Sequence, residues 1–225
     1  MTTPESGSIP ITLHCRYVLH VPESTRNSLL ILALHGYGSN PEMMLRLTVP
    51  TVGREHVVAA IQAPFQQYLS MGANAEVGYN WGVRTHHEEA IRLHQSIVFA
   101  VRDELGARFD IPPDRCVLVG FSQPVGLNYR LLGTHPDSVG AVIGLCGGVP
   151  RDWEESKYQH FATPILHIAR SEDEFYPTDT ANRFTHKLRA HASNVEFHML
   201  PGGHRFPSNA VGIVQPWLKR IFPGV

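Results

Sequence analysis

The sequence predicts an α/β fold with a mainly parallel central sheet and helices on both faces. Three observations carry that expectation. Short apolar runs recur at residues 29–34, 57–61, 116–119 and 142–146, and at 164–168 with His167 inside the run, and an uninterrupted apolar run suits a strand buried on both faces. Segments of helical periodicity lie between several of them; in residues 86–109, Ala90, Ile91, His94, Ile97, Val98, Val101 and Leu105 recur at three-four spacing. Strands therefore alternate with helices along nearly the whole chain, the pattern that parallel crossovers produce.

In chain order, residues 11–21 alternate apolar and polar side chains, as in a half-exposed and antiparallel first strand. The second strand, 29–34, empties into His35 to Asn40, where Ser39 or Asn40 caps a helix with Pro41 at its first position. Residues 57–61 form the next strand. Residues 65–84 read as an irregular loop of about twenty residues, a length that usually signals function in a compact domain. After the long helix, 116–119 run as a strand into the Gly120-Phe121-Ser122 corner, with a helix from about 124 to 133. Residues 149–163 are a polar excursion between core elements, 178–191 a helix, 195–200 a last strand and 209–222 a closing helix.

The 225 residues, 43% hydrophobic and 17% charged, fit one domain spanning 1–225, with 1–10 as a flexible lead. A net charge of -1 without a basic run implies neither nucleic acid nor an anionic membrane surface as partner, and favours a small neutral ligand. Cys15, Cys116 and Cys146 are widely spaced, two of them in apolar runs, so neither a disulfide framework nor a zinc site is expected. His87 and His94 share a helical face but lack a third ligand for a metal. No cofactor is expected. The first residues have no charged and apolar leader pattern, and no apolar run approaches the ~18 residues of a membrane span, so the expected location is cytoplasmic.

Ligands in such sheets bind beyond the carboxyl ends of the strands. Four polar segments fall there: His35 to Gly38, Ser122, Ser171 to Glu174, and Gly202 to His204. Ser122 on a strand-to-helix corner has the form of a nucleophile elbow, although a serine that only caps the helix would occupy the same position. A nucleophilic serine needs a base, an acid that holds the base, and amides for the oxyanion. The order serine, acid, histidine is the one this architecture uses.

The motifs at 34–38 (LHGYG), 120–123 (GFSQ), 173–177 (DEFYP) and 202–204 (GGH) resemble those of the phospholipase/carboxylesterase branch of the α/β-hydrolases, which includes acyl-protein thioesterases. The resemblance covers roughly residues 28–222. It implies an α/β-hydrolase fold and a serine carboxylesterase acting on short- to medium-chain acyl esters, including thioesters, through an acyl-enzyme. It further implies Ser122 as nucleophile, Asp173 as acid, His204 as base, the Tyr37 and Gln123 amides as oxyanion hole, and Trp81 on the substrate side. Three features depart from the pattern. Pro124 replaces the usual second glycine of the elbow and biases Gln123 away from the helical region. Ala169-Arg170 replaces His-Gly after the sixth strand, adding a positive charge beside the acid loop, and Glu172 and Glu174 are rival acids.

Two other classes fit parts of the sequence. A hydrolase impaired by Pro124 would only bind ligand. A dinucleotide-binding protein would use Gly36 and Gly38 with Glu55 some twenty residues on, but it lacks the third glycine and gives Ser122 and His204 no role.

Overall fold

A computed structural model describes residues 5–225; residues 1–4, part of the expected flexible lead, lie outside the described residues. Strands β1 (Tyr17–His20), β2 (Leu30–Leu34) and β3 (Val57–Ile61) form one half of the main sheet, with helix α1 (Pro41–Val52) between β2 and β3. A hairpin of β4 (Phe65–Tyr68) and β5 (Val77–Asn80) follows, then α2 (His87–Phe109), β6 (Cys116–Phe121), α3 (Gln123–Thr134) and β7 (Ala141–Leu145). The chain closes with β8 (Ile165–Arg170), α4 (Thr178–Ala181), α5 (Phe184–Leu188), β9 (Val195–Leu200) and α6 (Val211–Ile221).

The seven-stranded sheet has the order β1-β3-β2-β6-β7-β8-β9, with β1 antiparallel and every other pairing parallel. This is the architecture of the α/β-hydrolases. The period-two geometry of the strands sorts side chains to opposite faces. Leu30, Leu32 and Leu34 of β2, with Cys116 and Leu118 of β6, pack against α2 and α3. Leu29, Ile31, Ala33, Val117 and Val119 face α1 and α6 on the other side. Both faces of β2 are fully buried, which explains its unbroken apolar run.

Three elements differ from the sequence expectation. The first strand pairs only over Tyr17–His20, because its partner β3 offers a short ladder from Val58 to Ile61. The 65–84 segment is not wholly irregular: Phe65 pairs with Asn80 and Tyr68 with Val77. Its polar Gln66, Gln67 and Gly78 hid the strands, and the hairpin is fastened from outside by Gly38 N–H to Tyr79 O and Tyr79 N–H to Ser39 O, both 2.9 Å. The helix expected over 178–191 is two short helices, α4 and α5, joined by Asn182 and Arg183. Among the described residues no helix is long and apolar enough to cross a membrane.

His94 and His167 lie wholly inside the first core layer. His94 Nε2 donates to Asn128 Oδ1 at 3.0 Å, and His167 Nδ1 is hydrogen-bonded to the Tyr129 hydroxyl at 2.6 Å. Burial lowers each imidazole's pKa to about 4, because the charged form loses its hydration. An unfolded chain protonates histidine near 6.5, so between pH ~6.5 and ~4 the unfolded state binds more protons. Stability is therefore complete above about pH 6.5 and falls as pH drops toward 4, by on the order of 3 kcal/mol per histidine. Urea unfolding across this range should show that slope, and His94→Gln should reduce it; an unchanged slope would mean that His94 is not responsible.

Candidate active site

β2 and β6 are adjacent, yet the chain leaves β2 toward β3 on one side and β6 toward β7 on the other. Such a reversal opens a crevice beyond the strand ends. The parallel register sets Leu34 opposite Gly120, so His35 to Gly38 and Ser122 emerge side by side.

Ser122 occupies the corner between β6 and α3 with φ 63° and ψ -110°. For a residue with a Cβ this backbone is strained, and such strain collects at functional sites. The corner is held by the Ser122 N–H donating to Leu145 O at 2.8 Å. It also needs a bare backbone at Gly120, where an added Cβ would lie 2.8 Å from Asn128 Nδ2 and 3.3 Å from Val125 N. The Ser122 side chain makes no capping bond to α3. Its Oγ lies 2.8 Å from His204 Nε2, so the helix-cap reading does not describe it. On the other side of the ring, His204 Nδ1 lies 2.7 Å from Asp173 Oδ2.

Asp173 is 3% exposed. Its second oxygen accepts the Phe175 N–H at 2.9 Å and the Tyr176 N–H at 3.0 Å, bonds that fix its orientation. The rival Glu174 is exposed, and its Oε2 accepts the His204 main-chain N–H at 3.2 Å, so it braces the loop rather than the ring. Glu172 is exposed. Arg170 runs beneath the histidine loop to Asn209 Oδ1 at 3.4 Å, and only Gly202, with φ 117°, leaves room for its guanidinium.

The main-chain N–H groups of Tyr37 and Gln123 have no acceptor among the described residues. The loop that carries Tyr37 is built from below. His35 is buried; its Nδ1–H donates to Gly36 O at 2.8 Å and its Nε2 accepts the Ala63 N–H at 3.1 Å. Burial lowers its pKa, consistent with a neutral ring of fixed tautomer. Trp81, expected on the substrate side, is 1% exposed. Its indole N–H donates to His35 O at 2.8 Å and its ring packs against His35 and His94. Its aromatic surface lies beneath the loop, against His35 and His94.

Two side-chain roles escaped the sequence reading. The Gln123 carboxamide accepts the Trp81 main-chain N–H at 3.0 Å and donates to Gly82 O at 2.7 Å, tying the 65–84 segment to the corner. Cys146, at the end of β7, is buried against Arg205 O, and burial pushes its thiol up to about 12, which leaves it unreactive at neutral pH. A glutamine one residue after the serine was visible in the sequence, but nothing nearby named its distant partners. Pro124 sits in the first turn of α3, where no backbone donor is required, and the helix begins at Gln123 despite it.

A hydroxyl, imidazole and carboxylate in this chain of contacts, beside two free amides, have the arrangement needed for nucleophilic acyl transfer. Fold and site together define an α/β-hydrolase. The profile of the phospholipase/carboxylesterase family matches residues 17–222, and the chain belongs to that family. No curated protein matches. Among solved structures, a Bacillus cereus carboxylesterase is 18% identical with a TM-score of 0.73, covering 92% of this chain and 95% of its own. A Mesorhizobium loti carboxylesterase is 22% identical with a TM-score of 0.71, covering 94% and 97%. Esterase PE8 is 20% identical with a TM-score of 0.73, covering 94% and 100%. These likenesses show the shared fold.

Gln123→Ala keeps the main-chain N–H while deleting both bonds to the 65–84 segment. Stability should fall by about 2 kcal/mol, and limited proteolysis should cut within 65–84 markedly faster. Unchanged cleavage would show that other contacts hold the segment.

Proposed function

We propose that the protein is a serine carboxylesterase of one domain, hydrolysing short- to medium-chain acyl esters, with thioesters open to the same chemistry. The observation that carries this is the His204 ring, 2.8 Å from Ser122 Oγ through one nitrogen and 2.7 Å from Asp173 Oδ2 through the other. Ser122 Oγ attacks the ester carbonyl carbon while its proton passes to His204 Nε2. The negative oxygen of the tetrahedral intermediate is held by the Tyr37 and Gln123 amides. As the carbon–oxygen bond to the leaving group breaks, His204 gives its proton to the departing oxygen. Water, deprotonated by His204, then attacks the acyl-serine, releases the acid and restores Ser122. Asp173 accepts from His204 Nδ1–H throughout and stabilises the imidazolium.

For the acyl half, the hairpin beside the Tyr37 loop offers apolar surface. Leu69 approaches Gly38, and Tyr37, Leu69 and Val83 are exposed. This surface supports the reading of a short or medium acyl chain.

Incubation with a fluorophosphonate should label the parent at Ser122 and leave Ser122→Ala unlabelled but folded. Turnover of a nitrophenyl butyrate should fall by several orders of magnitude in Ser122→Ala and His204→Gln, and by orders of magnitude in Asp173→Asn, while Glu174→Gln changes little. Activity of Ser122→Ala within about tenfold of the parent would remove the serine assignment.

Pro124→Gly should retain the fold, lose about 1 kcal/mol of stability and alter turnover through the Gln123 amide. An inactive, unlabelled parent together with a Pro124→Gly variant that gains both properties would establish the ligand-binding reading instead.

A further inference from the structure

The mechanism assigns sides to the substrate. His204 must protonate the leaving oxygen, so the leaving group lies on the imidazole side of the tetrahedral centre. That side is bounded by Phe175 and Tyr176, whose rings lie 4.7 and 6.0 Å from the His204 ring. Both also line a groove of about 560 Å³ between the 149–163 excursion and α4–α5. The groove reaches Gly148, against which the Tyr176 ring lies, and the preceding residue, Gly147, abuts the main-chain oxygen of Ser122.

Its charged lining is mostly cationic, with Arg151, Arg183 and Lys187 against the single carboxylate of Glu154, and His186 adding a further positive charge when protonated. Among the described residues none of the three permanent cations forms a salt bridge. Lys187 donates only to Pro150 O, at 3.1 Å. The contrast with the neighbouring cluster is direct: there, Arg130 and Lys157 are both satisfied by Asp152. A chain of net charge -1 thus gathers unneutralised positive charge at the end of the site where the leaving group must sit.

Resting on the serine esterase reading, we propose that this groove binds an anionic group on the alcohol or thiol half of the substrate. The substrate class is an acyl ester whose leaving group carries a carboxylate or phosphate, and Arg151, Arg183 and Lys187 determine that preference. Phe175 and Tyr176 pack the part of the leaving group between the reacting oxygen and its anion. The apolar hairpin and the cationic groove then receive the two halves of one molecule on opposite sides of Ser122.

The test uses esters with one acyl group and leaving groups of matched shape: 4-acetoxybenzoate against neutral 4-acetoxybenzamide, and 4-acetoxyphenyl phosphate as the phosphate arm. Intrinsic reactivities differ, so the readout is how the anionic-to-neutral ratio of kcat/KM changes between parent and variant. In Arg151→Gln/Arg183→Gln the ratio should fall about tenfold, as expected for two partly screened charges. Glu154→Gln should raise it, and added salt should lower it in the parent more than in the double variant. Whichever anion shows the larger drop identifies the natural group as carboxylate or phosphate. Equal ratios in parent and both variants, with the neutral ester still turned over, would overturn the groove assignment and leave the esterase intact. Failure of the parent to hydrolyse any of the esters or to label at Ser122 would overturn the underlying esterase reading and the groove assignment with it.

Discussion

The site depends on one register, the parallel pairing of β2 with β6 that sets Leu34 opposite Gly120. A shift of one residue would turn every core side chain of β2 to the wrong face and separate the His35–Gly38 loop from Ser122. The burial of Leu30, Leu32 and Leu34 on one face and of Ile31 and Ala33 on the other makes such a shift prohibitively costly. Core packing and the placement of the chemistry are therefore one constraint. Tyr37 and Gln123 come from two distant parts of the sequence, and the β2–β6 pairing sets the strand ends that carry them side by side.

Above that foundation, the structure fixes the polar groups through neutral, buried partners. His35 is locked as a single tautomer between Gly36 O and Ala63 N, and Trp81 fills the space below it with its N–H satisfied by the His35 carbonyl. Satisfying each buried donor holds the loop in one conformation. Gln123 joins this scaffold to the strained corner through both ends of its carboxamide. The acid loop follows the same logic, since Asp173 spends one oxygen on two main-chain donors and leaves the other for the His204 ring.

The two ends of the crevice differ in chemistry. Apolar side chains on the hairpin adjoin the Tyr37 loop, while arginine and lysine gather beyond Phe175 and Tyr176. Overall charge concealed this difference: a net of -1 pointed to neutral ligands because summation over 225 residues erases where the charges lie. Local accumulation of cations matters where low-dielectric walls focus their field, and sequence distance between Arg151 and Arg183 gives no sign that they share a wall.

By itself the sequence determined the α/β architecture, because an apolar run such as 29–34 is stable only when both faces are covered, and a three-four pattern such as 90–105 only as a helix. It also marked Ser122, Asp173 and His204 as candidates, since each follows a strand of the sheet and the three stand in the order serine, acid, histidine. The tertiary structure decided what local pattern leaves open. Glu174 and Asp173 are adjacent in sequence, and only the path of the loop turns one toward the His204 ring and the other toward its backbone. Trp81 is buried, with its indole filling the space between His35 and His94, a position that its neighbours in sequence do not specify. The hairpin at 65–80 carries no strong strand pattern of its own and owes its form to Gly38, Ser39 and Gln123. Side-chain direction in loops is set by partners far away in the chain, which a linear reading of neighbours does not contain.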